Sequence, residues 1–170
     1  NYLTSRSLRA DRKEEPDAES KLNKPEADRL MEILVQVLKS EELGLEDIGV
    51  VTPYMGQVRV LRRKVRNELL QQLEDVNIPG LAQETDEGPN LKHLEIATVD
   101  SYQGREKELI IFSAVRSNKY GRVGFLADWR RLNVMLTRAR RGLIVIGNSE
   151  TLKHEPFWNQ WLGWCEAQKS

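Results

Sequence analysis

Residues 142–147 read Gly-Leu-Ile-Val-Ile-Gly, four branched apolar side chains in a row between two glycines. Such a run has no polar face to turn toward water. A strand of this kind is stable only where both faces are covered, as in the middle of a parallel sheet with helices on either side. Three other segments read the same way: 48–51 (Ile-Gly-Val-Val), about 94–99 and about 108–115. Between them lie stretches of helical period. Asn23 is a good capping residue and Pro25 suits a first turn, because its missing N–H has no partner there in any case. Ala27, Leu30, Met31, Leu34, Val37 and Leu38 then form one apolar face. Val58, Leu61, Val65, Leu69 and Leu73 predict a second helix over about 55–73, with Arg59, Arg62, Arg63, Lys64 and Arg66 on its other face. A third helix is predicted over 128–138 and a fourth, carrying Phe157, Trp158, Trp161 and Trp164, over about 156–168. Apolar strands alternating with helices predict an α/β layer fold with a mostly parallel central sheet.

The domain reading follows from composition. Residues 1–20 are a polar lead-in of mixed charge. Residues 21–154 form the α/β unit. Residues 75–92, with two prolines, two glycines and several acids, are a loop or insertion within it, and 155–170 are a C-terminal aromatic helix. The 170 residues suffice for one core. Lys plus Arg number 26 and Asp plus Glu 26, which excludes a globally basic coat and an acidic tail. The single cysteine, Cys165, excludes an internal disulfide, and with only His93 and His154 beside it no metal site is expected. No apolar run approaches the roughly 18 residues of a membrane span. An intracellular, reducing setting, nuclear or cytoplasmic, is the expectation.

In parallel sheets, ligands bind beyond the carboxyl ends of the strands. Two segments there carry more chemistry than a turn requires. Residues 98–106 (Thr-Val-Asp-Ser-Tyr-Gln-Gly-Arg-Glu) pack hydroxyls, acids, an amide, a glycine and an arginine into one loop. Gly104 allows close backbone approach to a ligand, Glu106 suits ribose hydroxyls, and Thr98 and Ser101 suit a phosphate backbone. A polar turn is the plain alternative. Residues 129–141 hold five arginines, the side chain suited to bidentate phosphate contact. A solvated basic face is the alternative there. From Ser101 to Arg141 ten basic residues stand against three acidic ones, in a chain of zero net charge. That segregation favours a side facing a polyanion. No Gly-x-x-x-x-Gly-Lys-Ser/Thr loop occurs, so a nucleotide site here would be only half a site. The Trp residues of the last helix read as packing, since no arginines interleave them.

Four segments in order resemble a known family. Asn23-Lys24-Pro25-Glu26-Ala27 resembles its Asn-x-x-Glu-Ala opening. Thr52-Pro53-Tyr54-Met55-Gly56-Gln57 resembles motif IV. Residues 99–106, followed by Val115-Arg116-Ser117-Asn118, resemble motif V. Residues 124–126 and 130–140 resemble motif VI and its approach. The family is the superfamily-1B helicases of the nonsense-mediated-decay and senataxin-like type, and the similarity, over about 20–150, is to their second RecA-like domain. It implies a RecA-like lobe of the P-loop NTPase type without the Walker A loop. The lobe would be the C-terminal half of an ATP-dependent motor that translocates on and unwinds RNA or DNA, moving 5′ to 3′. The resemblance implies Arg138 as the catalytic arginine finger, and Gly104, Arg105, Glu106, Lys24 and Gln57 as ATP-binding. It implies Thr52, Pro53, Tyr54, Thr98, Asp100, Ser101, Gln103, Asn118, Asn133 and Thr137 on the nucleic-acid side. ATP would come with Mg2+ held mainly by the first lobe, which would be this lobe's partner together with a single strand of RNA or DNA and any regulatory proteins. The chain alone would be inactive. Lys24 stands where some members carry arginine, and Met135 where alanine is usual. A catalytically silent binding or regulatory module is the other reading.

Overall fold

The computed structural model describes residues 15–17, 20–73, 91–102 and 106–168. The lead-in before Glu15, most of the 75–92 segment, and Gln103, Gly104 and Arg105 lie outside the described residues. The chain opens with a short antiparallel pair, β1 (Glu15–Asp17) and β2 (Ser20–Leu22). The first of these strands falls inside the segment read as a polar lead-in. Helix α1 (Lys24–Lys39) follows, then β3 (Ile48–Thr52) and α2 (Met55–Lys64). From residue 91 onward come β4 (Glu95–Thr98), β5 (Lys107–Ser113), α3 (Trp129–Leu136), β6 (Ala139–Ile146), the single turn α4 (Ser149–Leu152) and α5 (Pro156–Ala167).

Strands β3 to β6 form one parallel sheet in the order β4-β3-β5-β6. Successive side chains of a strand point to opposite faces, and here both faces are buried. Ile48, Val50, Leu109, Ile111, Ile144 and Ile146 pack with α1 and α2. Val51, Ile110, Phe112 and Val145 pack with Leu126, Leu132 and Trp158 on the other side. This is the helix–sheet–helix layering that the apolar runs predict, and it is the α/β architecture of a RecA-like lobe.

Two boundaries differ from the sequence reading. The second helix is α-helical only to Lys64. A π-helical turn (Val65–Leu69) and a 3-10 turn (Gln71–Leu73) complete it, while all five stripe residues stay buried. β6 begins at Ala139, three residues before the apolar run, because Lys107 pairs with Ala139 across the sheet. α3 accordingly ends at Leu136 rather than 138. Among the described residues no helix is long and apolar enough to cross a membrane.

Candidate functional site

The carboxyl ends of the strands are Thr52, Thr98, Ser113 and Ile146. At the centre of this edge lies a buried polar network. Asn23 caps α1 by accepting from the Glu26 N–H at 3.1 Å. The Glu26 carboxylate does not close a local capping box. It accepts from the Ser113 hydroxyl and the Val115 N–H, both at 2.8 Å, and from Asn23 Nδ2 at 3.2 Å. Asn23 Nδ2 also donates to the Val115 carbonyl at 3.0 Å. Both backbone groups of Val115 are therefore held. They fix it at φ +69°, a left-handed conformation that is costly for a β-branched residue. The Arg116 N–H closes a three-residue turn onto Ala114 at 2.8 Å. Burial pushes the Glu26 carboxyl up to about 7, against the Val115 N–H and the Ser113 hydroxyl, which pull it down.

Gln57 belongs to the same network. Its Oε1 accepts from the Asn23 N–H at 2.8 Å, and its Nε2 donates to the Asn23 carbonyl at 3.0 Å and to Ser113 Oγ at 3.1 Å. The whole amide is thus engaged within the chain, and the side chain is fully buried. Lys24, next to the cap, is exposed.

Around this network lie the hydroxyl and aromatic residues. Thr52 is fully buried, and its hydroxyl has no hydrogen-bond partner among the described residues. Thr98 and Ser101 cap one another, with their hydroxyls 2.7 Å apart and each accepting from the other's N–H. Pro53 is buried, whereas Tyr54 is half-buried and meets Phe125 edge-on at 6.5 Å. Gly124, at φ +56°, leaves room for this, since a Cβ there would come within 3.2 Å of the Tyr54 hydroxyl. Arg131 lies over Phe125 at 5.2 Å and pairs with Asp100 at 3.7 Å and Asp128 at 3.5 Å. Segments far apart in the chain thus meet through Tyr54, Phe125, Arg131 and Asp100.

The loop after β5 is braced throughout. Asn118 Oδ1 accepts from the Tyr120 and Arg122 N–H groups at 3.2 and 2.9 Å, and its Nδ2 donates to the Arg122 carbonyl at 2.8 Å. The same carbonyl accepts Arg116 Nε and Nη2 at 2.9 and 2.7 Å.

The opposite edge of the sheet carries a different set. The Lys107 N–H donates to the Arg138 carbonyl at 3.0 Å, which places Arg138 at the start of β6. Glu106 enters β5 beside it and pairs with Arg140 at 2.9 Å, while Glu108 pairs with Arg140 at 3.4 Å and Arg141 at 2.7 Å. These carboxylates, Glu106 first, raise the Arg140 guanidinium further above its ordinary range. Burial pushes the Tyr102 phenol up to about 12, Glu95 adding to the effect and Arg138 opposing it.

The expected ATP-facing residues therefore divide. Glu106 and Arg138 share one edge, whereas Lys24 and Gln57 stand at the other, across the seven residues of β5, about 20 Å of strand. Thr52, Pro53, Tyr54, Thr98, Asp100, Ser101 and Asn118 share the carboxyl edge. Asn133 and Thr137 are exposed on or just beyond α3, and the Thr137 hydroxyl is turned back onto the Asn133 carbonyl at 2.9 Å. Sequence reasoning did not assign Glu26, Ser113 or Phe125. Glu26 stood in the sequence only as part of the Asn-x-x-Glu-Ala resemblance, with no role of its own. No group of three or more acids, histidines or cysteines converges on a point for a metal ion among the described residues.

Residues 3–150 match the family model described as an AAA domain. The chain is 43% identical over 142 residues to a regulator of nonsense transcripts 1 homolog of Arabidopsis thaliana, covering 82% of this chain and 10% of that protein. It is 39% identical over 147 residues to the ATP-dependent helicase upf1 of Schizosaccharomyces pombe, covering 86% and 14%. It is 40% identical over 134 residues to the DNA polymerase alpha-associated DNA helicase A of Saccharomyces cerevisiae, covering 78% and 17%. The chain thus spans less than a fifth of the length of each of these relatives.

Proposed function

Because the chain belongs to the AAA-domain family, as a RecA-like lobe of the nonsense-mediated-decay and senataxin-like superfamily 1 helicases, we propose that it is the C-terminal motor lobe of an ATP-dependent RNA or DNA helicase acting inside the cell. Its two sheet edges divide the work. The edge with Arg138 and Glu106 faces ATP held by a first RecA-like lobe. Arg138 acts as the arginine finger, its fixed charge stabilising negative charge that develops on the γ-phosphate. Glu106 receives the ribose. Gly104 and Arg105 join this set by position in the chain. ATP would bring Mg2+, held mainly by the first lobe. The carboxyl edge, with Thr98, Ser101, Tyr54 and Asn118, holds part of the single strand.

The observation that carries this reading is the placement of Glu106 and Arg138 on neighbouring strand starts, 32 positions apart in sequence, joined by the 3.0 Å bond from Lys107 to the Arg138 carbonyl. Nucleic-acid-stimulated ATP hydrolysis by the full-length parent tests it, wild type beside Arg138→Ala. The variant is expected to lose hydrolysis by roughly a thousand-fold or more and to keep strand binding. Undiminished hydrolysis by the variant would remove the finger. A wild-type parent that binds strand but hydrolyses nothing would make the lobe a binding module.

A further inference from the structure

The C-terminal tryptophans lack arginine neighbours in the sequence, yet the structure sets cations against a different aromatic. Tyr120 is 68% exposed. Lys119 Nζ lies 5.1 Å and the Arg122 guanidinium carbon 5.5 Å from its ring centroid. We propose that Tyr120, with Lys119 and Arg122, is a base-stacking platform for single-stranded nucleic acid, the ring receiving a base as the two cations that lie over it swing onto the flanking phosphates. This rests on the helicase reading and deepens it.

Three observations carry it. First, the place: the loop leaves the carboxyl end of β5, on the edge that holds Tyr54, Thr98 and Ser101. Second, the rigidity. Asn118 and Arg116 fix the backbone on both sides of Tyr120. The Thr151 hydroxyl ties Asn118 to α4 through both backbone groups, at 2.9 and 3.0 Å. Gly121, at φ +64°, lies so close to His154 that no Cβ fits. A loop backbone held this way loses little freedom when a base lands on the ring it carries. Third, the chemistry. Stacking on an aromatic beside cations is how single strands are held without regard to sequence, because every base offers a π-face. A second exposed aromatic, Trp129, carries Arg130 at 5.9 Å in the same relation.

The test is fluorescence anisotropy of the full-length parent with labelled oligouridylate and oligothymidylate of about 15 nucleotides. Tyr120→Ala is expected to weaken both roughly tenfold, and Tyr120→Phe to restore binding to within about twofold. The slope of affinity against salt should be unchanged in Tyr120→Ala and shallower in Lys119→Gln and Arg122→Gln, each by somewhat under one. Wild-type binding with an unaltered Tyr120→Ala overturns this inference alone. So does a loss that phenylalanine does not repair, which would point to the hydroxyl. A wild-type parent that binds neither oligomer removes the helicase reading and this inference with it.

Discussion

Glu26 shows how far one side chain can depart from its local signal. In the sequence it stands at the third position of a helix that begins with asparagine, where it would ordinarily bond back to the cap. In the fold it reaches residues 87 and 89 positions away, Ser113 and Val115. All three of its partners donate, so the ionised form is well matched, yet burial raises its pKa from 4.5 to about 7. The sign follows from linkage. The folded state holds the proton more tightly than the unfolded chain, so this group's contribution to stability is full below about pH 4.5 and is lost as pH rises to about 7. The loss amounts to about 3 kcal/mol at most. A titration of the Glu26 carboxyl carbon by NMR should show a midpoint near 7, and a midpoint near 4.5 would contradict the burial argument. Gln57 is the second case. The family resemblance implies an ATP-facing role for it, and in the fold both ends of its amide bond to the Asn23 backbone and Ser113.

Among the elements, α5 separates packing from exposure within one tryptophan series. Trp158 is fully buried, stacks on Phe112 at 6.2 Å, meets Trp161 edge-on at 5.7 Å and donates its indole N–H to the Leu126 carbonyl at 2.9 Å. Trp164 is 48% exposed. Trp158→Ala should therefore destabilise the fold by about 3–5 kcal/mol in urea melts, whereas Trp164→Ala should stay within about 0.5 kcal/mol. Equal effects would mean that the helix is not docked through Trp158. The start of β6 shows why element boundaries are hard to read. Arg138 to Arg141 have no strand-like periodicity. They become strand because the Lys107 backbone pairs with Ala139 and because Glu106 and Glu108 sit opposite the arginines. Cross-strand charge pairing substitutes here for the apolar signal.

At the scale of the whole molecule, the parallel sheet keeps two sets of polar side chains apart. A parallel strand carries its residues from one edge to the other, so Glu106 and the Ser113–Val115 turn, though close in sequence, stand at opposite ends of β5. Each edge can then face a different partner. The 170 residues contain no Walker A loop, and an arginine finger stabilises a phosphate that something else must hold. The purified chain should therefore release no phosphate from ATP above background, with or without single-stranded nucleic acid. Robust hydrolysis by it would refute the division of labour between lobes.

The sequence by itself determined the layered α/β class, the residues that enter the core and the buried faces of the helices, because these depend on unbroken apolar runs and on the 3.6-residue period, both written within a few neighbouring residues. It also singled out 98–106 and 129–141 as the segments richest in polar and basic side chains. Only the tertiary structure decided the strand order β4-β3-β5-β6, the turning of Gln57 and Glu26 inward, the separation of Lys24 from Arg138, and the bracing of the loop beneath Tyr120. The physical reason is distance along the chain. These contacts join residues 33 to 92 positions apart, and a hydrogen bond that forms only when two distant segments pack leaves no trace in the pattern of either one.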